Sequence, residues 1–153
     1  MCCEKLRTAF NAPEKCFDRL LSCEERGQKF KIQLPKKSTE TFCRVKVDGC
    51  LISDSSSSER CDFMFWRCEK EEVYFVELKG KDVKKAFAQI KSTIEFSRPK
   101  LKLKQQQVFG FIISNRCPMT SVEIQKLKKD FKDKKYGQVL EVRSSREWTH
   151  KIK

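Results

Sequence analysis

Two apolar runs joined by a short charged segment constrain the fold of this chain more than any other feature. The runs are CDFMFW, residues 61–66, and VYFVEL, residues 73–78, and both are rich in the aromatic and β-branched side chains that are enriched in strands. The segment between them, RCEKEE, is polar enough for a surface turn. The pattern predicts an antiparallel hairpin, which places Asp62 beside Glu77 at matching ends of the paired strands.

Helix and strand patterns on both sides of the hairpin predict the rest of the topology. Asn11 and Pro13 are typical of a helix start, so the first predicted helix begins there and has residues 17, 20 and 21 on its apolar side. A strand is predicted over residues 42–52, with a bend at Gly49, and a helix over residues 81–96 that ends before Pro99. A buried strand follows over residues 107–114. A helix over residues 121–135, with a Thr120–Glu123 capping box and an exit at Gly137, leads to a final strand over residues 138–145.

The predicted element order is therefore α-β-β-β-α-β-α-β. Three consecutive antiparallel strands followed by helical crossovers indicate an α/β (α+β) fold, with a mixed sheet that is flanked by helices. A length of 153 residues fits a single domain over residues 1–153. A composition of 39% hydrophobic and 36% charged residues favours an ordered globular chain over a disordered one.

The charge balance points to a polyanionic partner. The chain has 34 Lys and Arg against 21 Asp and Glu, a formal net charge of +13, and such a field attracts nucleic acid. The basic stretches SRPKLKLK, residues 97–104, and KLKKDFKDKK, residues 126–135, contain few aromatic side chains and suit phosphate contacts better than base stacking. A lysine-rich surface that only aids solubility is the alternative interpretation.

The nine cysteines leave three interpretations open: disulfides, a structural zinc ion, or buried thiols. Their number is odd, no Cys-x-x-Cys pair occurs, and His150 is the only histidine, which argues against zinc. The first residues, MCCEKLRTAF, lack the apolar segment of a signal peptide. These features favour free thiols in the reducing cytoplasm, and no apolar run is long enough to predict a membrane span.

The end of the predicted hairpin concentrates charge on a strand that otherwise reads as buried. Because side chains alternate along a strand, Glu77 and Lys79 share one face, and Asp62 joins them from the neighbouring strand. Crowded carboxylates repel each other unless a cation lies between them, so the pair is a natural site for Mg²⁺. A metal-bound water could attack phosphorus while Lys79 stabilises the developing charge or orients the water, which is the chemistry of phosphodiester hydrolysis.

These residues resemble the PD-(D/E)XK nuclease superfamily, which includes restriction endonucleases and Holliday junction resolvases. The similarity lies in Asp62, fourteen intervening residues, and then Glu77, Leu78 and Lys79. The superfamily core is a helix, three antiparallel strands, a helix and a strand, and this chain adds a further helix and strand to that order. The similarity therefore spans about residues 13 to 143. The proline that gives the motif its first letter is Cys61 here.

The resemblance implies a small stand-alone, metal-dependent nuclease. Its catalytic residues would be Asp62, Glu77, Lys79 and Gln89, since many members have a polar residue near the metal on the helix after the hairpin. Asp62 and Glu77 would bind Mg²⁺ or Mn²⁺. A further acidic ligand stays open: Asp48 ranks first, and the other candidates are Glu14, Glu24 and Glu25.

The same resemblance favours an endonuclease over an exonuclease and DNA over RNA, and a homodimer is a candidate assembly because dimers are common among members. One alternative is a non-catalytic module that binds nucleic acid or a partner protein and retains the nuclease fold. Another is that Glu77 and Lys79 form a surface ion pair without function, worth less than about 1 kcal/mol. The apolar character of VYFVEL and the presence of all three charged residues favour the nuclease.

Overall fold

A computed structural model describes residues 2–53, 59–79, 82–115 and 120–153 of the chain. The fold is mixed α/β, with two sheets. The helices are α1 (Cys2–Phe10), α2 (Val83–Leu101) and α3 (Ser121–Asp133). The strands are β1 (Phe17–Asp18), β2 (Ser22–Glu25), β3 (Gln28–Gln33), β4 (Phe42–Lys46), β5 (Phe63–Arg67), β6 (Glu72–Lys79), β7 (Val108–Ser114), β8 (Val139–Ser144) and β9 (Glu147–Lys151).

The larger sheet has six strands in the order β1-β4-β5-β6-β7-β8. Neighbours from β1 to β6 are antiparallel, and β6, β7 and β8 are parallel. The predicted hairpin is confirmed: β5 pairs with β6 from Phe63 opposite Val76 to Arg67 opposite Glu72. The mixed sheet therefore follows the predicted order over residues 42–144, because strand alternation and helical periodicity are both clear there.

The smaller sheet, in the order β2-β3-β9, was not predicted. The helix predicted from Asn11 is wrong: α1 ends at Phe10, Asn11 follows with a φ of 51°, and Phe17–Asp18 form β1 of the larger sheet before the small sheet begins at Ser22. Leu20, which was placed on the apolar side of that helix, is 56% exposed. In β3 the buried residues Gln28, Phe30 and Ile32 alternate with more exposed ones, which is the period of a strand.

The C-terminal segment is also ordered, although the sequence around His150 looks like a disordered tail. It forms β9, which runs parallel to β3 with Phe30 opposite Trp148. Trp148 is 2% exposed, and its ring packs against Phe30 and Phe111. Burial of this large aromatic surface explains why a polar tail joins the fold.

Two apolar cores lie on opposite faces of the larger sheet. One contains side chains of α1, α2 and α3 with Met64, Trp66 and Phe75 of the hairpin. The other contains side chains of β3 and β9 with Phe65 and Leu78 of the same hairpin. The hairpin is thus buried on both faces, so a charged residue at its end is enclosed by two layers. None of the helices in the described part of the chain is both long enough and apolar enough to cross a membrane.

Of the eight cysteines that the structure describes, six form disulfides, so the expectation of free thiols is wrong for them. Cys2 pairs with Cys68, Cys3 with Cys43, and Cys16 with Cys50, whereas Cys23 and Cys61 are buried thiols. Two of the bonds connect α1 to β4 and to the turn after β5, and the third connects the segment before β1 to the turn after β4. Only the tertiary packing brings these segments together. Disulfides are typical of oxidising compartments, so the thiol argument for a cytoplasmic location no longer holds.

The ends of α2 and α3 test the predicted boundary signals. The capping box of α3 is confirmed, because Thr120 accepts from the Glu123 backbone while the Glu123 carboxylate accepts from the Thr120 backbone. Pro99 does not end α2, which continues to Leu101 and is capped by Lys102 with a φ of 53°. Pro99 is exposed in the last turn, where water can satisfy the carbonyl that loses its intrahelical partner.

Gly137 provides a test of packing between α3 and β8. A Cβ at this position would lie 2.7 Å from the Val108 carbonyl oxygen and would overlap the buried Phe131 ring. We therefore expect Gly137→Ala to lower the free energy of unfolding by about 1–3 kcal/mol. Urea denaturation measures the change, with Val139→Ala, at an exposed neighbouring position, as the control. Equal midpoints for wild type and Gly137→Ala would show that the segment can shift to accept a methyl group.

Candidate active site

The two predicted carboxylates lie at the same end of the β5–β6 hairpin. Asp62 directly precedes β5, and continuing the register beyond Phe63 and Val76 puts it opposite Glu77. Oδ2 of Asp62 accepts a hydrogen bond of 2.8 Å from the backbone N–H of Leu78, the residue next to Glu77. Both carboxylates are buried: Asp62 is 3% exposed and Glu77 is fully buried. The sequence therefore placed Asp62 and Glu77 correctly relative to each other.

Burial changes the acidity of Asp62. The pKa of its carboxyl group is raised from 3.8 to about 6, mainly because burial removes the group from water, and the negative charges of Glu25 and Asp48 contribute to this rise. The hydrogen bond from Leu78 and the positive charge of Arg26 oppose this rise. A buried carboxylate that is held charged near neutral pH is a strong attractor for a cation.

Glu77 lies in the middle of the larger sheet, on β6 opposite Ile112 of β7. Burial raises the pKa of the Cys61 thiol, and the negative charge of the nearby Glu77 raises this pKa further. Cys61 in turn lies against α2, because its backbone N–H donates to Oγ1 of Thr93 (2.8 Å). Glu77 is therefore on the side of the sheet that α2 covers.

Gln89 connects α2 to the segment that leads into Asp62. Its Nε2 donates to the carbonyl oxygen of Arg60 (3.0 Å), and Thr93, one turn further along the helix, holds Cys61. Oε1 of Gln89 is buried and has no hydrogen-bond partner within the part of the chain that the structure describes. The Gln89 side chain thus positions residues 60–61.

Lys79 is the last residue of β6, and its backbone is paired opposite Ser114 of β7. Its side chain lies outside the described part of the structure, so its predicted catalytic role stays a prediction. The strand end that it occupies is the same one that contains Glu77.

The candidates for a third acidic ligand differ in position. Asp48 follows β4 and is held by Arg60, whose Nε lies 2.8 Å from its Oδ1. Glu14 is 87% exposed and lies 3.6 Å from Arg7. Glu24 and Glu25 are in β2. Of the three glutamates, Glu25 has a charge that raises the pKa of Asp62, after the main effect of burial.

Arg26 is a site residue that the sequence reasoning missed. It lies in the turn between β2 and β3, and its Nη1 donates to the carbonyl oxygen of Leu78 (3.2 Å). A signal was available in the sequence: the dipeptide Arg26-Gly27 separates two segments of alternating polarity, as in a two-residue hairpin turn. The predicted helix over this region concealed the hairpin.

The donor set is compatible with Mg²⁺ but not with a metal cage made by the protein alone. Within the described residues, no group of three or more His, Cys, Asp or Glu side chains is arranged to hold a metal ion. Mg²⁺ is commonly bound by one or two carboxylates, with water and substrate phosphate completing its octahedral shell. Asp62 and Glu77 would be the two carboxylates of such a site.

Comparisons of this chain with protein-family models, with curated proteins and with solved structures find no match.

Proposed function

We propose that this chain is a divalent-metal-dependent nuclease of the PD-(D/E)XK type that hydrolyses phosphodiester bonds, with DNA as the favoured substrate. The observation that carries the proposal is the pair of buried carboxylates, Asp62 and Glu77, at matching ends of one hairpin. Burying acidic groups is costly unless hydrogen bonds, paired charges or a bound cation offset the loss of water. A divalent cation bound to both carboxylates would supply such an opposite charge.

The arrangement of elements around the pair supports the same proposal. The chain has an N-terminal helix, then β1 to β3, and after them the antiparallel strands β4, β5 and β6, the helix α2 and the parallel strand β7. This is the order implied by the resemblance, with α1 in the place of the helix predicted from Asn11. The small sheet and the α3–β8 unit are additions to that order.

Each site residue has a task in the proposed reaction. The Leu78 N–H fixes the Asp62 carboxylate, and Gln89 and Thr93 hold the segment that precedes it. Mg²⁺ bound to Asp62 and Glu77 would supply an acidified water and a Lewis acid for the phosphoryl oxygens. Lys79 is proposed to stabilise the charge that develops on those oxygens.

Basic surface on the protein suits a polyanionic substrate. A cavity of about 600 Å³ beside the β5–β6 turn is lined by Lys100, Lys102 and Lys104, and by Lys5, which pairs with Glu71 of the same lining. The turn is at the opposite end of the hairpin from Asp62 and Glu77, so a nucleic acid that reaches both would extend along the sheet. The net charge of +13 favours such an association at low salt.

A cleavage assay tests the proposal. Single-stranded, duplex and branched DNA and RNA are incubated with wild type and with Asp62→Asn, Glu77→Gln and Lys79→Ala, in Mg²⁺, Mn²⁺ or EDTA. We expect metal-dependent cutting that falls by at least about 100-fold in each variant, since each removes a group that stabilises charge in the reaction. Asp133→Asn, at an exposed acid paired with Lys129, is the matched control and should cut like wild type.

Two outcomes would contradict the proposal. Cutting that survives in EDTA, or in the Asp62 and Glu77 variants, would place the chemistry elsewhere. Absence of cutting with equal nucleic-acid binding by all variants would favour the non-catalytic binding module instead.

A further inference from the structure

The turn between β2 and β3 lies against the end of the hairpin that contains the two carboxylates. Arg26 donates from Nη1 to the Leu78 carbonyl oxygen (3.2 Å), while the N–H of the same Leu78 donates to Asp62 (2.8 Å). One residue of β6 therefore binds both side chains. Burial raises the pKa of Asp62, and the positive charge of Arg26 opposes this rise. The guanidinium therefore stabilises the charged form of the carboxylate.

The backbone of Arg26 is unusual for an arginine. Glu25 pairs with Gln28, and the two turn residues between them, Arg26 and Gly27, have φ values of 52° and 77°. A two-residue hairpin turn with two positive φ values strongly favours Asn, Asp or Gly at these positions. An arginine in the first position goes against the local preference, and such departures cluster at functional sites.

Most of the guanidinium remains available for a ligand. Arginine has five N–H donors in a planar fork, and the contact with Leu78 uses one of its nitrogens. Arg26 is exposed, and among the residues that the structure describes it forms no salt bridge within 4.0 Å. A fixed, exposed fork beside a carboxylate site matches the geometry of a phosphate group, which arginine binds with two parallel hydrogen bonds.

We infer that Arg26 binds the phosphate group of the nucleic-acid backbone that enters the site of Asp62 and Glu77. The inference rests on the proposed nuclease function and adds a substrate-binding residue from the small sheet, outside the motif. The bound phosphate would lie at the strand end where Arg26 and Asp62 both contact Leu78. Arg26 would thus orient the phosphodiester and offset negative charge on its oxygens as water attacks.

The decisive variant is Arg26→Asn, because asparagine suits the turn and lacks the guanidinium. We expect its thermal midpoint to be no lower than that of wild type, while cleavage in Mg²⁺ falls by about 100-fold. Binding of a fluorescently labelled DNA duplex in EDTA gives a second readout. The slope of log affinity against log salt should become shallower by about 0.9, the value for one lost phosphate contact.

Two further variants sharpen the test. Arg26→Lys keeps the charge but not the fork, so it should retain the salt slope of wild type and lose part of the cleavage. Arg7→Asn makes the same charge change on α1, beside Glu14, and should alter neither cleavage nor the salt slope.

The outcomes separate this inference from the proposed function. If wild type cuts and Arg26→Asn cuts and binds equally well, Arg26 only holds the Leu78 carbonyl, and the inference is wrong while the nuclease stands. The inference is also wrong if Arg26→Asn melts lower and its lost cleavage matches its lost folded fraction. If wild type cuts none of the substrates, the proposed function fails, and the inference fails with it.

Discussion

Reduction of the three disulfides is expected to lower the free energy of unfolding by at least about 4 kcal/mol. The bonds close loops with sequence separations of 66, 40 and 34 residues, and a single loop of this size contributes about 4 kcal/mol in the chain-entropy model. The contributions do not add fully because the loops overlap. Since small domains are stable by only about 5–15 kcal/mol, the loss should be a large part of the total.

Guanidinium denaturation with and without a phosphine reductant measures this effect. Unreduced, denatured protein should expose at most three of its nine cysteines to alkylation, because six are paired. The double variant Cys16→Ser/Cys50→Ser is the control, since the reductant should then destabilise it less than wild type. Identical midpoints with and without reductant, together with nine labelled cysteines, would show that the native protein lacks these bonds.

Replacement of Asp62 by asparagine is expected to stabilise the fold at neutral pH while it abolishes the proposed activity. Burial raises the pKa of Asp62 from 3.8 to about 6, so the folded state binds a proton more tightly than the unfolded state does. The favourable contribution of the neutral carboxyl is complete below 3.8 and is lost as the pH rises through about 6. The shift of about two pKa units corresponds to about 3 kcal/mol.

Asparagine is neutral at every pH and can still accept the hydrogen bond from Leu78. We therefore expect Asp62→Asn to be more stable than wild type by about 2–3 kcal/mol above about pH 7, with the difference vanishing in acid. Urea denaturation across this pH range measures it. Asp133→Asn, at an exposed acid paired with Lys129, makes the same charge change and should alter stability by less than about 1 kcal/mol.

Magnesium provides an independent readout on the same pair of proteins. A cation that binds the folded state raises the stability of wild type by about 2.7 kcal/mol at 100 times its dissociation constant. Asp62→Asn should lose most of this gain, because one of two carboxylate ligands is gone. A variant that is less stable than wild type at every pH, or that gains as much from Mg²⁺, would contradict the site.

The sequence by itself determined the central part of the fold and the core of the candidate site. The hairpin, α2, β7, α3 and β8 follow from local patterns that each read clearly, and the register of a short hairpin follows from its turn. Asp62 and Glu77 therefore fell opposite each other without any knowledge of packing. Their burial was also foreseeable, since VYFVEL is too apolar for an exposed edge.

Only the tertiary structure decided the small sheet, the cysteine pairing and the place of Arg26. Lys29 of β3 pairs with Glu147 of β9, although most of the sequence lies between them. No local pattern encodes a parallel pairing at that sequence separation. The disulfides likewise depend on how α1 packs against β4 and the β5–β6 turn. Arg26 reaches the candidate site because the hairpin of β2 and β3 is held over the larger sheet by apolar burial, a non-local contact that sequence spacing does not specify.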